Sequence, residues 1–202
     1  MYKVFHFNAW CSIDLPIETI IEEDGSVFHC GGNYPETIKG ERFHRFLDMC
    51  FEEATSFSLQ KDFWPNKTNQ SKELEVELEP YELQTIQTQK WFGNDLTTLP
   101  EEYAWVMCQK MYRATEETKN ILKKYFDEVF LGLTKQGPKS TKYTLEDICF
   151  FKEKKLFVGS ISHEFMLYVY PPSEDFEREM KELGIWEDAS KNVKEFTLDS
   201  FI

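Results

Sequence analysis

The sequence lacks the short motifs that tie a chain to a known catalytic or cofactor site. It has no Gly-x-Gly-x-x-Gly run and no Gly-Lys-Ser/Thr loop, so a recognisable nucleotide-binding loop is excluded. It also has no His-Glu-x-x-His helix and no Cys-x-x-Cys pair, the patterns of zinc proteases and zinc ribbons. We therefore assign no catalytic residue, no metal ligand and no cofactor, and the sequence leans away from an enzyme.

Positive charge is scarce. The 202 residues include 23 Lys and Arg against 36 Asp and Glu, which gives a formal net charge of -13. Nucleic acids and anionic membrane surfaces attract clustered cations, so direct binding to either is disfavoured. The excess of carboxylates favours a positively charged partner instead, above all a basic protein.

Long apolar runs and paired cysteines are also missing. No hydrophobic stretch approaches membrane-spanning length. The apolar run near the first residues is too short and too polar for a signal peptide. The five cysteines are odd in number and widely scattered: Cys11, Cys30, Cys50, Cys108 and Cys149. Such spacing is typical of reduced thiols, so we expect a cytoplasmic protein without a membrane anchor.

Core-forming residues are plentiful. Hydrophobic residues make up 41% of the chain and aromatic residues 16%, with 18 Phe. A disordered acidic chain would lack those aromatics. The length and composition therefore predict a single globular domain over residues 1–202.

Hydrophobic periodicity predicts helices and strands in alternation. The clearest helix carries Phe43, Phe46, Leu47, Cys50, Phe51 and Ala54 on one face. Further helices are expected after the N-caps Thr115 and Ser173, the first continuing to about Phe130. Strands are predicted over 2–8, on both sides of the Asp24-Gly25 turn, and over 83–92, 103–113, 148–151, 156–161 and 165–170, with a helix as the alternative for 103–112. Hairpin-length connections favour an α+β class, with largely antiparallel sheet and two or three amphipathic helices packed on one face.

The most distinctive stretch has glutamate at every second position. Glu73, Glu75, Glu77 and Glu79 alternate with Leu74, Val76 and Leu78, following an expected polar loop over 65–71. A β-strand would place the apolar residues on the core and the four carboxylates in one row, roughly 6.8 Å apart. Phosphates along one DNA strand repeat at a comparable spacing, so we predict that these four glutamates form the partner-binding site on a basic cleft.

Dispersed polar residues support only weaker alternatives. A metal site would need His29, Cys30, Cys11 and His44 to converge, although neighbours in a strand point to opposite faces. The adjacent His163 and Glu164 form the most suggestive acid–base pair, yet a polar turn explains them as well. An enzyme or small-molecule-binding protein with a site around His29, His44 or His163 therefore remains the alternative.

Charge, size and the lack of motifs together favour a protein-binding inhibitor. In these respects the chain resembles, as a class, bacterial toxin-immunity proteins and phage-encoded inhibitors. We expect it to neutralise a basic partner such as a nuclease toxin or another nucleic-acid-handling enzyme, with Trp64, Trp91 or Trp186 as exposed anchors. A structural subunit without catalytic activity, acidic only for solubility, is a further alternative.

Overall fold

A computed structural model describes residues 3–7, 18–21, 27–30, 37–61, 69–100, 105–130, 145–190 and 195–200. The strands are β1 (Phe5–Phe7), β2 (Glu18–Ile21), β3 (Val27–Cys30), β4 (Ser56–Lys61), β5 (Glu82–Thr88), β6 (Lys90–Trp91), β7 (Asn94–Asp95), β8 (Met107–Arg113), β9 (Leu145–Lys152), β10 (Lys155–Ile161), β11 (Met166–Val169) and β12 (Trp186–Asp188). The helices are α1 (Glu41–Glu53), α2 (Asn69–Leu78), α3 (Glu116–Tyr125) and α4 (Glu174–Lys181).

The main sheet has eight strands in the order β12-β1-β11-β10-β9-β4-β8-β5. Every neighbouring pair in it is antiparallel. β2-β3 and β6-β7 form two separate two-stranded hairpins. The predicted α+β class with antiparallel sheet is confirmed.

Helices cover one face of this sheet. The ring of Phe51 on α1 lies 5.4 Å from that of Phe150 on β9, and Phe176 on α4 lies 5.8 Å from Phe157 on β10. The β6-β7 hairpin covers the opposite face, where Phe92 packs over Gly159. A side chain at Gly159 would come within 2.6 Å of the Phe92 ring, so this close approach requires glycine.

Several predicted elements are confirmed. The periodic face of α1 is buried, the β2-β3 hairpin pairs across the Asp24-Gly25 segment, and β9, β10 and β11 form the expected meander. Thr115 caps α3 by accepting from the Thr118 backbone N–H, and Ser173 caps α4 by accepting from Phe176. Residues 107–113 form a strand, not the alternative helix, because β8 pairs on both sides within the sheet.

Two predicted boundaries are wrong. α3 ends at Tyr125 and does not reach Phe130, because the following backbone pairs elsewhere: Val129 N–H donates to the Ile38 carbonyl at 3.0 Å. The strand predicted over 83–92 ends at Thr88, and the chain then turns into the β6-β7 hairpin. In both places long-range pairing overrides the local hydrophobic pattern.

The predicted glutamate strand is also wrong. Residues 69–78 form α2, and a 3-10 turn over Glu79–Tyr81 leads into β5. Glu, Leu, Lys and Gln favour helices, whereas Glu is depleted in strands. Leu74 and Leu78, one helical turn apart, are fully buried together, while Val76 between them is 65% exposed. The polar loop expected over 65–71 therefore gives way to helix at Asn69.

One hydrophobic cluster of buried side chains extends from Val4 on the β1 side through the sheet and helices to Leu183 after α4. It joins α1, α3 and α4 to the sheet. Whether a single domain spans all of residues 1–202 stays a prediction.

Candidate functional site

The helical conformation separates the four glutamates of the predicted site. Residues two apart on a helix differ by about 200°, so Glu73 and Glu77 lie on one side and Glu75 lies on the other. Glu73 and Glu79 are exposed and make no ion pair within the described part of the chain. A single row of four carboxylates does not exist, and a partner-binding role for each residue stays a prediction.

Glu75 and Glu77 are engaged by cations of this chain. The Lys61 ammonium lies 2.6 Å from Glu75 Oε2, and the Lys124 ammonium lies 2.5 Å from Glu77 Oε1. The Tyr125 hydroxyl also donates to Glu77 at 2.7 Å. Hydrogen bonds from Lys124 and Tyr125 lower the pKa of Glu77, so this carboxylate is held in its charged form. These two residues fasten α2 to β4 and α3 and are less available to a partner.

A fifth carboxylate, Glu82, anchors the start of β5. Its Oε2 lies 2.8 Å from the Lys110 ammonium on β8, and its Oε1 accepts from the Thr85 hydroxyl at 2.6 Å. Burial alone would raise the pKa of Glu82, but the hydrogen bonds from Lys110 and Thr85 outweigh burial and lower it. Sequence reasoning missed this residue because it lies outside the alternating segment.

β5 is an outer strand of the main sheet, hydrogen-bonded to β8 on one side only. Within the described residues no strand pairs with its other side. The side chains of Leu83, Gln84, Thr85 and Gln87 are exposed, whereas Ile86 is buried. An outer strand presents unpaired backbone N–H and C=O groups, so this edge can pair with an added strand.

Exposed apolar side chains also lie near the Thr88 end of β5. Trp105 and Val106 directly precede β8 and are 61% and 41% exposed. Val106, Thr88 and Lys90 help line a groove of about 480 Å³, with Gln87, Gln89, Thr97 and Ser200 as its other lining residues. Large apolar residues left exposed beside a sheet edge are typical of protein-interaction surfaces.

Of the three predicted aromatic anchors, Trp91 is buried and Trp186 is half-buried. Trp91 is only 3% exposed and packs against Phe151 at 6.1 Å between ring centres. Trp186 is half-buried, and its indole N–H donates to the Met180 carbonyl at 3.0 Å. Trp64 lies outside the described residues. Among the described tryptophans, Trp105 is the one that faces solvent, and sequence reasoning passed over it. It lies two residues before β8, and its exposure depends on tertiary structure.

Most of the histidines and cysteines of the alternative sites have side chains outside the described part of the chain. His44 lies on α1, Cys11 and the side chains of His29, Cys30 and His163 are outside the described part, and Glu164 is exposed in the turn between β10 and β11. Cys50 and Cys149 are fully buried, and burial raises the pKa of both thiols, that of Cys149 to about 12. Neutral buried thiols are poor nucleophiles.

Searching the described residues finds no group of three or more His, Cys, Asp or Glu side chains that could hold a metal ion. None of the described helices combines the length and the apolar character needed to cross a membrane. No protein-family model, curated protein or solved structure matches this chain.

Proposed function

We propose that this chain is an acidic, cytoplasmic, immunity-type inhibitor that binds and neutralises a basic protein, such as a nuclease toxin or another nucleic-acid-handling enzyme. One observation carries the proposal: the chain has 36 carboxylates and 23 Lys and Arg. Even if every cation paired with a different carboxylate, 36 minus 23, or 13, carboxylates would have no cation of this chain. That surplus gives the surface a strong preference for a positively charged partner.

A nucleic-acid-handling enzyme offers such a partner because its cleft is lined with Lys and Arg that contact phosphates. Carboxylates at the mouth of the cleft would compete with the phosphates. Complementary charge also raises the association rate by steering the two proteins together before they touch.

Glu73 and Glu79 are the members of the predicted site best placed to take part. Both are exposed, and neither forms an ion pair within the described residues. Glu73 lies on α2, and Glu79 begins the turn into β5. Glu75 and Glu77 would first have to release Lys61 and Lys124. The Lys124–Glu77 pair is exposed and contributes little to stability, whereas the Lys61 and Glu75 side chains are largely buried, so Glu75 is the less available of the two.

The test is capture of a partner from the native cell extract, with the purified full chain as bait. A specific basic protein should be retained at about 0.05 M salt and released at about 0.5 M, where charge interactions are screened within a few ångströms. The purified partner is then assayed for activity on DNA and RNA with and without the chain. Retention of an acidic partner, or a basic partner whose activity the chain leaves unchanged, would contradict the proposal.

A further inference from the structure

The two outer strands of the main sheet differ in the features that block strand addition. β12 is three residues long and carries Glu187 and Asp188, so it is both short and charged. β5 is seven residues long, and from Leu83 to Thr88 it has no charge, no proline and no glycine. Natural sheets protect their edges with short strands, charges, prolines and bulges. β5 has Glu82 and a register shift between Glu82 and Gln84, and none of these features from Gln84 to Thr88.

The backbone of β5 is suited to accept another strand. In an antiparallel strand every second residue directs both its N–H and its C=O away from the paired neighbour. The register with β8 runs from Gln84 opposite Met111 to Thr88 opposite Met107, so regular pairing extends along this stretch. The outward groups therefore form a regular ladder that an extended peptide can complete.

The side chains beside this ladder offer apolar contacts. Leu83, at one end of β5, is 49% exposed, and Trp105 and Val106 lie beyond the strand's other end. Trp105 and Val106 continue β8 on the paired side of β5, so a peptide on the outer side of β5 would place alternate side chains beside Leu83. Backbone hydrogen bonds would supply affinity, and the apolar residues would supply selectivity.

The carboxylates near β5 determine which charge is favoured on an added strand. Glu75 on α2 forms an ion pair with Lys61 on β4. Lys61 lies opposite Cys108 on β8, and Cys108 lies opposite Gln87 on β5. The turn over Glu79–Tyr81 leads directly to the first residue of β5, so Glu79 lies at the start of the outer strand. Neither Glu79 nor Glu73, six residues earlier on α2, forms an ion pair within the described residues. A cationic strand is favoured there.

A second copy of this chain fits this edge less well. Two molecules that each carry a net charge of -13 repel one another as they approach. Antiparallel pairing of β5 with itself would also bring two α2 segments and their free carboxylates toward one interface. A positively charged chain is instead attracted to these carboxylates.

We propose that β5 binds an extended, lysine- or arginine-bearing segment of the partner as a ninth strand of the sheet. The inference rests on the proposed function, because it assigns the docking element for the same basic partner. The added strand pairs with the outward backbone groups between Gln84 and Gln87, and its cations lie near Glu73 and Glu79.

The probe is a synthetic peptide as long as β5 that alternates valine and threonine and ends in two lysines. The first control is the same peptide with glutamates in place of the lysines. The other controls are two lysine peptides that are N-methylated on opposite sets of alternate amides. Because only alternate amides point toward β5, one of these two peptides cannot pair with it. Affinity is measured by titration, and amide hydrogen exchange locates the contact. We expect slowed exchange at residues 83–88 with the lysine peptide, and about tenfold or greater loss of affinity for one methylated peptide only.

The other outcomes separate the two proposals. Equal affinity of both methylated peptides and their parent would overturn strand addition while leaving a charge-driven inhibitor intact. Equal binding of the lysine and glutamate peptides would overturn the cationic occupant and count against the proposed function as well. Protection of β5 that grows with protein concentration alone, together with a doubled mass in sedimentation, would assign the edge to a second copy. If no peptide protects β5 at about millimolar concentration, the inference is overturned.

Discussion

Leu74 and Val76 lie two residues apart on α2, yet their environments are opposite. Leu74 is fully buried and Val76 is 65% exposed. A strand would bury both on one face, whereas a helix turns the second away. The two residues therefore distinguish the two conformations by stability alone.

We expect Leu74→Ala to lower the free energy of unfolding by about 2–4 kcal/mol, since it leaves a cavity in the core. Val76→Ala should change it by less than about 0.5 kcal/mol, because its side chain is solvated. Urea unfolding of both variants measures the difference. Equal losses for the two variants would contradict the helix.

His6 gives the fold a pH dependence. Its ring packs at a tilt against Tyr168 with 4.8 Å between ring centres, and its Nε2 is buried with no hydrogen-bond partner among the described residues. Burial lowers the pKa of His6 below 6.5, and the charge of Glu187 offsets only part of this effect. The folded state therefore favours the neutral ring, whereas the unfolded chain binds a proton more readily.

With the folded-state pKa below that of the unfolded chain, the His6 contribution is complete above 6.5 and is lost as pH falls through the folded value. The wild type should lose more stability between about pH 7 and pH 5.5 than His6→Gln does, because the variant has no proton to bind at this position. Denaturation at the two pH values tests this. Parallel losses in both proteins would assign the dependence to other groups.

Elements with strong local signals could be predicted from the sequence. The apolar face of α1 and the caps Thr115 and Ser173 agree with the structure because periodicity and capping act within a few residues. α2 was mistaken for a strand because alternation over seven residues is a weak signal beside the helix preference of Glu and Leu. The open β5 edge and the exposed Trp105 depend on strand order, which no local pattern encodes.

Removal of a cap tests one of these local signals. Thr115→Ala should destabilise the protein by about 1 kcal/mol, because the Thr118 N–H loses its side-chain acceptor. Thr115→Asp keeps an acceptor and should recover most of that loss. The midpoints of urea unfolding report both. If Thr115→Asp is as unstable as Thr115→Ala, the hydrogen bond is not the source of the stabilisation.

Hydrogen exchange tests the openness of β5 in the free protein. Alternate amides between Leu83 and Thr88 should exchange quickly, because they point away from β8. Amides of β4 should be protected without alternation, since β4 pairs with β8 on one side and β9 on the other. Uniform protection along β5 at low protein concentration would show that another part of the chain covers the edge.

At the scale of the whole molecule, some carboxylates are held in ion pairs between elements, whereas others are exposed and form no ion pair within the described residues. Glu177 on α4 pairs with Lys3, just before β1, and Glu179 on α4 pairs with Arg45 on α1. Glu41, Glu52, Glu73 and Glu79 are exposed and form no ion pair within the described residues. These four residues allow two double variants of equal charge change. One replaces Glu73 and Glu79 near the proposed docking edge, and the other replaces Glu41 and Glu52 on α1. Each variant removes two negative charges.

The most direct test of the account is the association rate constant of the captured basic partner with Glu73→Gln/Glu79→Gln and with Glu41→Gln/Glu52→Gln, measured over a series of salt concentrations. If docking occurs along the α2–β5 edge, the first variant should associate roughly threefold to tenfold more slowly at low salt and show a shallower salt dependence. The second should stay close to the wild type. Equal effects of the two variants, or none from either, would contradict a charge-steered encounter at this edge.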